Sequence, residues 1–68
     1  MAATLDLRDV RCPMTWVKTK LALEALESGA ELRVECAPGE ALDNVPRSAA
    51  EAGHRVWVEG ATIRIVRA

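Results

Sequence analysis

The amino-acid sequence predicts a two-layer α/β sandwich, one sheet with both helices packed on the same face. Two short stretches of alternating apolar and polar residues, Thr4 to Arg8 and Glu31 to Cys36, are each followed by a segment with helical spacing. Two further alternating stretches, Arg55 to Glu59 and Thr62 to Val66, meet at Gly60-Ala61, giving the order strand, helix, strand, helix, strand, strand without repeats, linkers or low-complexity segments. The polar phase of the first two strands is clean, which leaves one sheet face to water and gives both helices the other.

In the first strand Leu5 and Leu7 lie on one side and Asp6 and Arg8 on the other, as a half-buried strand requires. Asp9 and Val10 lead on to Cys12. Pro13 suits the first position of a helix, where its missing N–H costs nothing, so Cys12 is the expected N-cap. Counted at about 100° per residue from Met14, the residues Val17, Leu21, Ala22, Ala25 and Leu26 fall in one arc, with Lys20, Glu24 and Glu27 opposite. That pattern predicts an amphipathic helix with its apolar arc inward, ended by Ser28-Gly29. In the second strand Leu32, Val34 and Cys36 share a phase, which points Cys36 to the core. Ala37-Pro38-Gly39 breaks that strand. Leu42, Val45, Ala49 and Ala52 give a second helix from about Ala41 to Ala52; Pro46 is expected to delay its regular part until near Asn44, behind an irregular turn, and Gly53 to close it. In the final hairpin Gly60 at the first central position fits a type II′ turn. Val56, Val58, Ile63 and Ile65 form the inward set there, and Trp57, Arg64 and Val66 face away.

A chain of 68 residues is one domain, 1–68. It buries only roughly 60% of the surface its unfolded form exposes, too little for a large cleft. Trp16 and Trp57 are the only aromatic side chains, so Leu, Val, Ile and Ala fill the interior. The net charge of −1 supplies no general basic field, which argues against constitutive nucleic-acid binding. The apolar runs are short and the first residues lack a signal-peptide pattern, so membrane insertion and export are not expected and a cytoplasmic location is. In such a reducing compartment two cysteines read as thiols. Neither CxxC nor a Cys/His quartet is present to hold a metal such as zinc.

The chemistry concentrates at Arg11-Cys12-Pro13-Met14-Thr15. A helix N-terminus carries roughly half a positive charge and up to four unpaired N–H groups, which favour a thiolate over a thiol. Such sites lower a cysteine pKa from about 8.5 to between roughly 3.5 and 7.5. Arg11 beside Cys12 and Lys18 about one and a half turns on add positive charge. The only histidine, His54, follows the second helix, and nothing in the sequence sets a base beside Cys12, so a complete acyl-transfer triad is not indicated. A presented thiol without cleft or base suits passing a group between proteins; the plain alternative is a half-buried cysteine that caps a helix.

The run from Leu5-Asp6 to Cys12-Pro13, the amphipathic helix behind it and Gly53-His54 resemble the TusA/SirA family of small sulfur-carrier proteins. The resemblance covers nearly the whole chain in length and element order. It implies the family's fold, a mixed four-stranded sheet with two helices on one face. It also implies the family's activity: Cys12 accepts sulfane sulfur as a persulfide from a cysteine desulfurase or rhodanese-type donor and relays it to an acceptor protein, in tRNA thiolation, molybdenum-cofactor assembly or sulfur oxidation. The resemblance thus implies a sulfurtransferase-type carrier rather than a full-turnover enzyme, with no cofactor beyond the covalent sulfur. The chain departs from the family's Cys-Pro-x-Pro motif, having Thr15 in place of the second proline. The usual Asp-Pro before the second helix is Pro38-Gly39 here, and Asp-Ile-Pro is Asn44-Val45-Pro46. With Cys12 as N-cap, Thr15 is at N3, and its backbone N–H, which proline lacks, is expected to donate to the Cys12 sulfur.

Trp16, Lys18 and Lys20 are candidates for partner docking beside the thiol, the aromatic ring as an anchor and the lysines steering an acidic donor; the alternatives are cover for the core edge and an ordinary solvated face. Cys36 reads first as a small buried hydrophobe. If the first two strands are parallel it shares their C-terminal edge with Cys12 and becomes a possible resolving thiol, which supports a thiol-disulfide protein as a competing function. A third reading, a non-catalytic regulatory or RNA-binding module, is opposed by the acidic balance and the lack of aromatic platforms.

Overall fold

The structure, a computed structural model, describes residues 2–11 and 14–68. The chain folds as β1 (Ala2–Asp6), α1 (Met14–Glu24), β2 (Glu31–Glu35), α2 (Glu40–Glu51), β3 (Arg55–Glu59) and β4 (Thr62–Val66). The sheet order is β1-β2-β4-β3, with β1 parallel to β2 and the other pairs antiparallel. This is the expected mixed four-stranded sheet. The helices pack on one another, α1 against β2 and α2 against β3 and β4, so both cover the same face. Leu7, Leu23, Leu32, Val34, Cys36, Val45, Ala49, Ile63 and Ile65 are buried between the layers. No helix of the described residues is long and apolar enough to cross a membrane.

The first strand begins two residues earlier than the alternation suggested, but its phase is as expected: Leu5 packs against the core and Leu7, just past the strand, is 1% exposed. The hairpin follows its turn chemistry. Glu59 pairs with Thr62 across Gly60-Ala61, Gly60 has a φ of 62°, and among the described residues none other than glycine has positive φ, so the turn is type II′. Gly53, with a φ of 94°, closes α2: its own N–H donates to the Ala50 carbonyl and that of His54 to the Ala49 carbonyl, the paired bonds of a Schellman terminus.

Four expectations need correction. The inward stripe of α1 is Thr15, Thr19 and Leu23, one position out of phase with the arc read from hydropathy; Val17 and Leu21 are exposed, and so is Ala25. A hydroxyl is tolerated there because Thr19 Oγ1 donates to the Thr15 carbonyl at 2.7 Å, satisfying the polar atom inside the helix. The same helix ends at Glu24 rather than at Ser28. Gly29 serves instead as the third residue of a type II turn closed by Ala30 N–H to the Glu27 carbonyl, and its own N–H donates to the Arg67 carbonyl. In α2, Pro46 sits inside a helix already regular from Glu40, so the irregular turn before Asn44 does not form. Proline there forgoes one bond to the Leu42 carbonyl, and burial of Val45 and Ala49, both 0% exposed, offsets that loss; Ala52 is exposed. Val58 has the inward phase but is 52% exposed, because β3 is the last strand of the sheet and only its Val56 end packs against the core.

The uncovered face carries charge. The Glu31 carboxylate accepts from Arg64 Nη2 at 2.9 Å and Arg33 Nε at 3.2 Å, which hold its pKa below the usual carboxylate value. Arg64 also lies 5.4 Å over the Trp57 ring, which is outward as expected.

Candidate functional site

The parallel pairing of β1 and β2 brings their C-terminal ends to one edge of the sheet, and the chain leaves β1 there through a pinned turn. Leu7 N–H donates to the Glu35 carbonyl at 2.7 Å, and Val10 N–H to the Leu7 carbonyl at 3.0 Å. Across that turn the Asp6 carboxylate takes bonds from the Arg8 N–H at 3.0 Å, Nε at 3.0 Å and Nη2 at 2.8 Å. The guanidinium bonds, with the backbone bond next, lower the Asp6 pKa from 3.8 to about 2. Because the folded carboxyl titrates below its unfolded value, the pair stabilises the fold above about pH 4 and that contribution is lost as the pH falls through about 2. We expect Asp6→Asn to melt slightly below the wild type at pH 7 and together with it near pH 2; an equal gap at both pH values would reject the assignment.

Beyond the turn, Arg11 is exposed and its carbonyl accepts the Met14 N–H at 2.9 Å, so the chain on either side of residues 12 and 13 is drawn together at the start of α1. Cys12, the expected nucleophile, and Pro13 lie outside the described residues. Thr15, expected to support the thiol, occupies the first turn of α1 with its side chain fully buried. Of the three docking candidates, Lys18 and Lys20 are exposed, whereas Trp16 is half-buried against the core and covers its edge.

The hydropathy arc sets Val17 and Leu21 inward, but between those lysines the helix turns them outward. Met14, Val17 and Leu21 are 48%, 39% and 61% exposed. At about 100° per residue they form a ridge directly opposite the Thr15-Thr19-Leu23 stripe, with Lys18 on one flank and Lys20 on the other. The spacing Thr15-Thr19-Leu23 was the available signal, since threonine can bond its own helix and so take a core position.

Cys36 is placed as expected at the C-terminal end of β2, 1% exposed, its N–H donating to the Ala61 carbonyl at 3.0 Å. Burial of that order keeps a thiol from outside reagents and weighs against a resolving role. His54 precedes β3 at the opposite end of the sheet, where Nδ1 accepts the Ala68 N–H at 3.0 Å. Strands of five residues put it roughly 15 Å from the Arg11 end, beyond reach as a base. Among the described residues no group of His, Cys, Asp and Glu side chains could hold a metal ion.

Comparison with known proteins adds three likenesses. A family model described as "Sulfurtransferase TusA" matches residues 3–66. A protein of Archaeoglobus fulgidus described as "Putative sulfur carrier protein" is 46% identical over 52 residues. The match takes in 76% of this chain and 59% of that protein, so the chain spans less than two thirds of the relative's length. The crystal structure of a SirA-like protein from Desulfitobacterium hafniense is similar in fold, with a TM-score of 0.72 over 93% of this chain and 90% of that one, at 22% identity.

Proposed function

This chain belongs to the TusA sulfurtransferase family, and from that premise we propose that it is a sulfur carrier whose Cys12 holds sulfane sulfur as a persulfide and relays it between proteins. The observation that carries the reading is the family match across residues 3–66, which takes in Arg11, Cys12-Pro13 and the start of α1. The relative described as a sulfur carrier supports it.

The transfer is an exchange at sulfur. The Cys12 thiolate attacks the outer sulfur of a donor persulfide, R–S–SH; a new S–S bond forms to Cys12, the donor S–S bond breaks, and the donor cysteine leaves as its thiolate. The sulfane sulfur keeps its proton, and no external oxidant or reductant is needed. Delivery to an acceptor thiolate repeats the step with Cys12 as the leaving group. A thiolate that both attacks and leaves well needs a lowered pKa, which the N-terminus of α1 and the Arg11 charge favour, with the Thr15 amide as a further donor.

The donor and acceptor proteins dock along α1. Its Met14-Val17-Leu21 ridge offers apolar surface, and Arg11, Lys18 and Lys20 around it are all basic in a chain of net charge −1. The complementary partner surface is an apolar groove edged by carboxylates, as a cysteine desulfurase or rhodanese-type donor and a downstream carrier would have to present. Sulfur supplied to tRNA thiolation, molybdenum-cofactor assembly or sulfur oxidation fits this chemistry equally, and the cytoplasm is where such a thiol stays reduced.

Intact mass after incubation with a persulfide donor tests the reading. The wild type should gain one or more sulfur atoms, removable by a reducing thiol, and Cys12→Ser none. No gain in the wild type, or an equal gain in Cys12→Ser, rejects the carrier.

A further inference from the structure

β3 is an edge strand whose outer side is paired with nothing among the described residues, and it carries Trp57 and Val58, 44% and 52% exposed, beside each other. Long apolar edges are usually blunted by charge, proline or a bulge. Here the three central residues carry none of these: the strand reads Arg55-Val56-Trp57-Val58-Glu59, with its charges only at the two ends.

We propose that β3 pairs antiparallel with β3 of a second copy of this chain, about a two-fold axis through Trp57, making one continuous sheet across the dimer. The five residues are their own complement when reversed. Arg55 of one copy falls opposite Glu59 of the other, Val56 opposite Val58, and Trp57 opposite Trp57, so one register satisfies charge, shape and symmetry together.

The hydrogen-bond parity of the strand agrees with that register. In a two-residue hairpin the pair that closes the turn, Glu59 and Thr62, is a hydrogen-bonded pair, so Glu59, Trp57 and Arg55 direct their N–H and C=O groups toward β4. The Cys36 N–H to Ala61 carbonyl bond gives the same alternation from the other side of β4. Val56 and Val58 therefore direct theirs to the open edge, and they are the residues that the self-pairing sets opposite each other. Each of the two valine pairs then exchanges both N–H···O bonds. Had the parity been the other way, the same side-chain match would have put non-bonding positions together.

The pairing also explains why Val58 has a core-facing phase without cover: in the dimer it lies beside Val56 of the other copy on the helix side of the sheet. On the uncovered side Trp57, already under the Arg64 guanidinium, meets its own copy, and Arg55 meets Glu59. β3 lies at the sheet edge opposite β1, so the Arg11 end of α1 stays accessible and the inference does not depend on what Cys12 does.

An interface built on one strand pair lies at or below ~1,200 Å², which makes the dimer concentration-dependent. Sedimentation of the wild type from micromolar to about 1 mM should show a monomer passing to a dimer. Arg55→Glu and Glu59→Arg should each remain monomeric at the concentration where the wild type is half dimeric, and the double swap should dimerise again. Val58→Lys, at a half-exposed edge position that asks little of folding, should also stay monomeric, and far-UV circular dichroism should show all four variants folded. A wild type that is monomeric throughout, single swaps that dimerise as it does, or a folded double swap that does not recover, each overturns the proposal.

Discussion

Ile63→Ala is expected to lower the melting temperature by at least about 10 °C and to leave part of the population unfolded at physiological temperature. Ile63 is 0% exposed and in register with Val34 on β2 and Val58 on β3, so removing its outer atoms opens a cavity in the core between sheet and helices. Truncating a buried isoleucine to alanine costs about 2–5 kcal/mol. A chain of this length holds roughly 3–10 kcal/mol of stability in all, and each kcal/mol moves the midpoint of such a domain by about 4–8 °C. Val58→Ala is the control: its neighbour in the same register is half-exposed, and truncation there should cost under about 1 kcal/mol. Thermal melts followed by far-UV circular dichroism check both. A shift of Ile63→Ala no larger than that of Val58→Ala would mean the core is not where the sheet places it.

The contrast between those neighbours also shows what the sequence could and could not disclose. A strand's alternation reports which face a residue points to, and Val58 points to the helix side as its phase required. Whether anything lies over that face depends on strand order, and β3 turned out to be the outer strand. Turns were legible because their chemistry is local: Gly60 and Gly53 need positive φ, and both have it. The phase of α1 was not legible from apolar count, since the stripe that meets the core contains two threonines. The bond from the Thr19 hydroxyl to the Thr15 carbonyl removes the penalty that hydropathy would assign. The apolar residues left over then lie on the outside, and an expected core face becomes an exposed ridge. Likewise Pro46 argued for an irregular start to α2, but burial of Val45 and Ala49 outweighed one lost backbone bond. The candidate site rests on a local signal, a Cys-Pro step before a helix, and residues 12 and 13 themselves lie outside the described residues. The exposed apolar ridge of α1 was not legible, because it depended on the helix phase.

Leu21→Glu should therefore slow sulfur transfer from the donor protein at least about tenfold without changing the melting temperature. Leu21 is 61% exposed, so the folded chain loses little by the change. A carboxylate on the ridge would have to be stripped of water in the partner's apolar groove and would meet the acidic rim that Lys18 and Lys20 are suited to, and a tenfold effect requires only about 1.4 kcal/mol. Val17→Glu should behave alike, being on the same ridge. Lys20→Glu should act mainly through the association rate, with a loss that shrinks as salt is raised, because an exposed charge steers encounter more than it holds the complex. The rate at which Cys12 reacts with a small alkylating reagent should be unchanged in Leu21→Glu, since that reagent needs no docking surface. Slowing of both reactions together would place the effect at the thiol and remove the case for the ridge; transfer at the wild-type rate would remove it outright.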